Sequence, residues 1–383
     1  MFTAFSAKFI AWLMSLLLTL GTTFGFFAKP TTKSAENYYD SNIKNVIYLI
    51  GDGMGFNHLE KTKAEKQVSL TMDTFEFKGE SMTRSFSNAT TDSAAGGTAL
   101  ATGVRTGNGM VGVYYLDKNA KYSYPKNLTE LCMESGKLTG VVTTDYTSGA
   151  TPSSFSAHDS DRDNTETISD DQLASGIDLI WGMANGYVTE DLAKANGYEY
   201  VDTYSEMMDL KEGSASFGQF SGDLWDLTPS NENAPILEQM AVKAVDLLDD
   251  SDEGFFLMIE GAHIDKHSHS NDGEKMTTAL VEFDRTIKAM LDYAKADGET
   301  LVVITADHET GAIKFKNDEF KFTSGSHSSA NVPVLVYGSD KIIASGEVLN
   351  NYEIPIRIAY TLGFTEADFP ATVSTIAVYR KKY

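Results

Sequence analysis

Short apolar runs alternate along this chain with longer stretches whose apolar residues recur three or four apart. Val46-Ile47-Tyr48-Leu49-Ile50, Val141-Val142-Thr143-Thr144 and Phe255-Phe256-Leu257-Met258-Ile259 read as buried strands. Leu301-Val302-Val303-Ile304-Thr305 and Val332-Pro333-Val334-Leu335-Val336-Tyr337 read the same way. Residues 127–135, closed by Gly136, and residues 236–248 read as helices. A third helix is predicted over about 273–296. There Met276, Leu280, Phe283, Ile287, Met290, Leu291 and Ala294 share one face, and Gly298 ends the segment. Strands alternating with amphipathic helices predict an α/β fold: a doubly wound, mostly parallel sheet flanked by helices. In such sheets the functional site lies beyond the carboxyl ends of the strands. Four of the five apolar runs are followed there by an acid: Asp52, Asp145, Glu260 and Asp307. Residues 163–235 are mixed and Gly-rich and read as a peripheral insertion; no repeat or low-complexity segment stands out.

The first residues follow a different pattern. Lys8 precedes an almost wholly apolar stretch over 9–20, and small and polar residues follow, with cleavage expected near Ala28 or Ala35. Residues 1–28 (the end reaching up to 35) therefore read as a signal peptide, leaving 36–383 as a single domain. The apolar core is short for a span of about 20 residues, so an uncleaved anchor is the second reading. An exported, periplasmic or extracellular protein with no stable membrane association after cleavage is expected. Cys132 is the only cysteine, so no internal disulfide can form, and core packing and bound metal must hold the mature chain. Lys plus Arg number 31 against 54 Asp plus Glu, a net charge of −23. That charge argues against nucleic-acid or anionic-membrane partners.

The chemistry concentrates in a few places. Ile259 to His269 carries two carboxylates and three imidazoles within eleven positions, just after a strand. Hard oxygen and borderline nitrogen donors at a strand end suit a divalent metal, though a polar loop is the plain alternative. Asp52 sits in Gly51-Asp52-Gly53-Met54-Gly55, where glycines allow a tight turn and close backbone approach. Ser93, in Thr90-Thr91-Asp92-Ser93-Ala94-Ala95-Gly96-Gly97, stands where a helix starts. It is either a capping residue or a hydroxyl aimed at an anion held by the helix end. No Gly-x-Ser-x-Gly surrounds it, so a nucleophilic role would need activation by a metal. Asp307-His308 follows another strand, and His327 precedes the last.

Taken in order, Gly-Asp-Gly-Met-Gly, Thr-Asp-Ser-Ala-Ala, Ala-Thr-Pro, Glu-Gly-Ala-x-Ile-Asp-Lys-x-x-His, Thr-Ala-Asp-His and a final His before Val-Pro-Val resemble the alkaline phosphatase family, in its compact bacterial secreted form, from about Lys44 to Gly338. The resemblance implies a metal-dependent phosphomonoesterase acting through a phosphoserine on Ser93. It implies two Zn2+, one held by Asp265, His269 and His327, the other by Asp52, Asp307 and His308. It implies one Mg2+ at Asp52, Thr151 and Glu260. Arg162, ten residues after Pro152, matches the family's phosphate-binding arginine, and Lys266 a lysine that some bacterial members place near phosphate. Small phosphate monoesters and inorganic phosphate are the partners implied, and a homodimer is compatible with the family. Two metals about 3.5–4 Å apart would clamp the attacking and leaving oxygens of an in-line displacement.

Two departures matter. Two residues before Thr151 the family usually has Asp or His; here Gly149 stands, so a weaker or altered third site is expected, with water, Asp145 or Ser148 filling in. Only eighteen residues separate His308 from His327, which implies an open site and a broad substrate range. His263 and His267 receive no ligand role. The rival readings are a phosphodiesterase or sulfatase of the same superfamily and a non-catalytic metal- or phosphate-binding relative. A sulfatase would need Cys/Ser-x-Pro-x-Arg, which Ser93-Ala94-Ala95-Gly96 lacks. Phosphodiesterase relatives commonly use a threonine and lack the matched arginine, whereas this chain has Ser93 and Arg162.

Overall fold

Ten strands build one sheet in a computed structural model of the chain, which describes residues 34–115, 122–227, 231 and 233–371. The expected signal peptide lies outside the described residues. In chain order the strands are β1 (Asn45–Gly51), β2 (Phe77–Met82), β3 (Leu138–Tyr146), β4 (Leu179–Met183), β5 (Glu199–Val201), β6 (Ser216–Phe220), β7 (Phe255–Gly261), β8 (Thr300–Thr305), β9 (Val332–Tyr337) and β10 (Val348–Asn350). In space they run β10-β2-β9-β8-β1-β7-β3-β4-β6-β5. From β8 to β5 all neighbours are parallel; β9 runs antiparallel to both β8 and β2. The doubly wound, mostly parallel sheet expected from the alternating pattern is therefore present.

The apolar runs are central because both of their faces must be covered. Along β1, Ile47 and Leu49 pack into one core cluster, while Val46, Tyr48 and Ile50 pack into the other. This is the period of two that an extended strand imposes. The first cluster takes in helices Leu237–Leu248 and Gly273–Asp297, and the second takes in helices Ser93–Thr102, Leu128–Glu134 and Glu353–Thr361. The long helix expected over 273–296 spans Gly273–Asp297. Asp272 caps its start by accepting from Lys275 N–H, and Gly298 ends it at φ 81°. Residues 163–235 supply β4, β5 and β6, so this segment forms the far edge of the main sheet.

The register sets the site. Ile50 and Thr143 both pair with Glu260, and Ile50 also pairs with Thr305. The carboxyl ends of β1, β3, β7 and β8 are thus level, and the residues at or just beyond them, Asp52, Asp145, Gly261 onward and Asp307, emerge together.

Candidate active site

β1 leaves the sheet through Gly51-Asp52-Gly53. Gly53 adopts φ 73°, and a Cβ there would lie 2.8 Å from the Asp265 Cα. Only glycine lets the Asp265 backbone come this close to Asp52. A Gly53→Ala variant is predicted to lose about 1–3 kcal/mol through left-handed strain and displacement of Asp265. Chemical denaturation checks this, and an unchanged midpoint would contradict the packing argument.

Ser93 opens helix Ser93–Thr102. Asp92 caps that helix by accepting from Ala95 N–H at 3.0 Å, and its second oxygen takes Gly109 N–H at 2.8 Å and the Arg162 guanidinium at 3.2 Å. The helix lies unusually close to its neighbours. A Cβ on Gly96 would meet the Asp307 carbonyl at 2.9 Å, and one on Gly97 would meet Ser154 Oγ at 2.9 Å. Two successive glycines therefore bring the serine against Asp307-His308 on one side and helix Ala150–Ser154 on the other. Ser93 Oγ stands 3.1 Å from His308 Nε2. That nitrogen is also 3.1 Å from Asp307 Oδ2 and 3.5 Å from Asp52 Oδ1.

Residues 263–269 form a single short helix. Its turn sorts the cluster by face: positions 265 and 269 are four apart on one side, 263 and 267 on another. On the first side His269 Nε2 lies 3.3 Å from Asp265 Oδ2, and His327 Nε2 lies 3.6 Å from Asp265 Oδ1. On the other, His263 stacks on Trp225 at 5.5 Å between ring centroids and His267 meets the same ring edge-on at 4.3 Å. The structure thus brings Asp265 and His269 to the site and turns His263 and His267 into a packed aromatic group.

The imidazole tautomers follow from their partners. His269 Nδ1 faces the Gly325 carbonyl at 2.9 Å, and His327 Nδ1 faces the Thr91 carbonyl at 2.9 Å. Thr310 Oγ1 donates to Asp265, so it accepts from His308 Nδ1 at 3.2 Å. Each Nδ1 must carry a proton, since its partner only accepts, which in the neutral ring leaves Nε2 to act as a lone pair. His269 and His327 then point these nitrogens at each other across 3.0 Å. Two lone pairs cannot hydrogen-bond; only a shared proton or a cation reconciles them.

The carboxylates make the same demand. Asp52 Oδ1, Asp307 Oδ2 and Thr151 Oγ1 are buried without a hydrogen-bond partner. Burial, then the charges of Asp307, Asp265 and Glu260, push the Asp52 carboxyl well above its usual range. Burial, with Asp145 next, raises Glu260 to about 8, although Thr143 donates to it. Burial alone would also raise Asp265 and Asp307, but His269 and His308, when a second proton sits on Nε2, hold both below the usual range. Four acids and three imidazoles turned toward one another, with Asp52 Oδ1 and Asp307 Oδ2 unpartnered, fit divalent cations. Within 4.8 Å of one another lie donors of Asp265, His269 and His327, and separately donors of Asp52, Asp265 and His308. The second group contains Asp265, whereas the sequence comparison with the family put Asp307 there; Asp265 is shared between the two clusters, and Asp307 Oδ2 also reaches His308. Glu260 is near enough for its charge to raise the Asp52 carboxyl, and Thr151 Oγ1 is buried without a partner, which leaves oxygen donors for a further cation. Arg162 and Lys266 stand at the rim, half exposed, Lys266 paired with Asp145 Oδ1 at 2.5 Å.

Asp92, Thr143 and Thr310 also support the site, with no role foreseen for them in the sequence, whereas Asp145 was foreseen as a candidate to fill in beside Gly149. For Asp92 a signal existed, the cap position just before Ser93. The carbonyls of Thr91 and Gly325 left no signal, since any residue supplies one.

Comparisons with known proteins follow the same lines. A profile of the family described as alkaline phosphatase matches residues 43–182 and 183–341. Alkaline phosphatase 4 of Bacillus subtilis (strain 168) is 34% identical over 339 residues, covering 82% of this chain and 70% of its own. Alkaline phosphatase 3 of the same organism is 36% identical over 316 residues, covering 77% of this chain and 67% of its own. Among solved structures, the alkaline phosphatase from the Antarctic bacterium TAB5 superposes with a TM-score of 0.74 at 27% identity, covering 85% of this chain and 99% of its own. A histidine-to-aspartate variant of that enzyme is described with magnesium bound in its M3 site (TM-score 0.72, 27% identity, the same coverage).

Proposed function

Because the chain belongs to the alkaline phosphatase family and is a phosphomonoesterase, we propose that it works through a phosphoserine on Ser93, with Asp265, His269 and His327 holding one zinc, Asp52, Asp307 and His308 a second, and Asp52, Thr151 and Glu260 a magnesium. The observation that carries this reading is the placement of Ser93 Oγ, 3.1 Å from His308 Nε2, at a helix start among donor atoms that lack protein partners.

The bound cations would supply Lewis-acid stabilisation of the attacking and leaving oxygens and lower the pKa of the hydroxyl and of water. The chain's own groups do the rest. Ser93 Oγ gives up its proton to solvent and attacks phosphorus in line; an O–P bond forms as the bond to the alcohol oxygen breaks, and that oxygen takes a proton from solvent to leave as the alcohol. Water then attacks the phosphoserine, the Ser93 O–P bond breaks, and inorganic phosphate leaves as the hydroxyl regains a proton. The N–H groups at the start of the serine's helix that the Asp92 cap does not take can donate to the equatorial oxygens. Arg162 can grip two of those oxygens with a planar fork, and Asp92 holds it in position. Lys266 adds a point charge beside them.

Arg162→Ala is predicted to raise KM for nitrophenyl phosphate and the inhibition constant for inorganic phosphate by about 10–100-fold, because a partly exposed charge-assisted pair is lost. Arg162→Lys should recover only part of this. Steady-state kinetics with phosphate inhibition measure both, and unchanged phosphate affinity would remove Arg162 from the binding role. The same assay over a substrate panel tests the open site, for which similar kcat/KM among simple monoesters is expected. Export to the periplasm or medium belongs to this reading as well, and cell fractionation checks it.

A further inference from the structure

Gly149 has φ −57° and ψ 155°, a conformation open to any residue. What bars a side chain is space: a Cβ there would lie 2.6 Å from Asp145 Oδ2, 2.9 Å from Asp145 Cγ and 3.0 Å from the Tyr146 carbonyl. The Asp145 carboxylate occupies the volume that a residue at 149 would fill. It is held there firmly. Oδ1 takes both neighbouring donors, Lys266 Nζ at 2.5 Å and Tyr146 N–H at 2.7 Å, which leaves Oδ2 to face Gly149. The backbone ties it to the third cluster too. Asp145 N–H donates to Thr143 Oγ1 at 2.8 Å, and that hydroxyl donates onward to Glu260. Two residues beyond Gly149, Thr151 is buried with its hydroxyl unpartnered, as is Asp52 Oδ1.

We infer that Asp145 is an additional oxygen ligand, direct or through water, of the cation held by Asp52, Thr151 and Glu260. This rests on the third-site reading above and deepens it. A small hard cation such as magnesium keeps several waters and needs anionic oxygen around them. Asp52 and Glu260 are both buried, and Asp145 brings a third carboxylate, in place of any side chain at 149. Lys266 on Oδ1 orients that carboxylate and joins the cation to the phosphate rim, so Lys266 is a positioning residue for the cation as well.

The test is magnesium binding by titration calorimetry to zinc-loaded protein, a readout separate from turnover. Wild type should bind one magnesium. Asp145→Asn should weaken that affinity by about 10–100-fold with zinc content unchanged. Gly149→Asp alone should disturb the site, because its Cβ meets Asp145. The double variant Asp145→Ala with Gly149→Asp puts a carboxylate back into the same volume and should recover most of the affinity. Equal magnesium affinity in wild type and Asp145→Asn, with phosphate inhibition alone weakened, would make Asp145 only the partner of Lys266 and overturn the inference. A wild type that binds no magnesium would overturn the third-site reading itself. Failure of the double variant while Asp145→Asn is weakened would remove the volume argument and with it the assignment of Gly149.

Discussion

Ser93→Ala should lower kcat for nitrophenyl phosphate by at least about 10^3-fold. The hydroxyl is the only group the variant removes. It touches His308 and caps nothing, since Asp92 performs the capping, so the helix and the cation donors stay in place. Zinc content and thermal midpoint should accordingly match wild type. What is lost is the atom that receives phosphorus, and direct attack by water must then replace a positioned nucleophile. The residual rate reflects Arg162, the helix start and the cations acting on water alone. A rapid acid quench with substrate should trap phosphorylated wild-type protein and none in the variant, read by intact mass. Turnover within about tenfold of wild type, or phosphorylation persisting in the variant, would sink the phosphoserine route. Retained metal and fold with lost turnover would also exclude a non-catalytic binding role for the wild type, which must be active in the same assay.

Removing the metals should both abolish turnover and lower the thermal midpoint, the second by on the order of ten degrees. A cation at about 1,000 times its dissociation constant adds about 4 kcal/mol per site to the folded state, and a chain of this size shifts by a few degrees or less per kcal/mol. The direction is set by charge. Asp52, Asp265, Asp307 and Glu260 converge in buried surroundings, where each raises the cost of ionising the next. A cation relieves this, and without it protons must.

That substitution has a pH signature. Burial, then Asp145, raises Glu260 to about 8, and burial raises Glu282 to about 8. The hydrogen bond to Asp265 raises His269 to about 9. All three bind a proton more tightly in the folded chain than in the unfolded one. Their contribution is complete at low pH and is lost as pH rises through those values. Buried His58 acts oppositely, its pKa lowered to about 4 by burial, but the stability it confers is already present above the ordinary imidazole value of 6.5. Between pH 7 and 9 the chelated protein should therefore lose stability. In the zinc- and magnesium-loaded protein the cations take the place of protons on His269 and Glu260, while Glu282 behaves alike in both. The gap between loaded and chelated midpoints should widen over that range in scanning calorimetry. A constant gap, or a chelated form as stable as the loaded one, would mean these side chains do not hold metal.

The amino-acid sequence by itself determined the frame and the inventory. Apolar runs such as Val46 to Ile50 can only be buried on both faces, and seven apolar residues on one side of Gly273–Asp297 can only pack as a helix, so fold class followed from local period. The donors were legible because Asp and His are costly to place at a strand end without a task. Tertiary structure decided how they combine. Whether His263 or His269 faces the cluster depends on a helical turn at 263–269 that the polar stretch does not announce. That His269 opposes His327, 58 residues away, depends on the Gly325 and Thr91 carbonyls, which no side chain encodes. The missing side chain at Gly149 reads in one dimension as a lost ligand. In three dimensions Asp145, held by Lys266 from another strand's end, fills its volume. Period and composition act over one or two turns of chain, and so the sequence carries them; the sharing of one small volume by donors from β1, β3, β7 and β8 exists only once the sheet has brought their ends level.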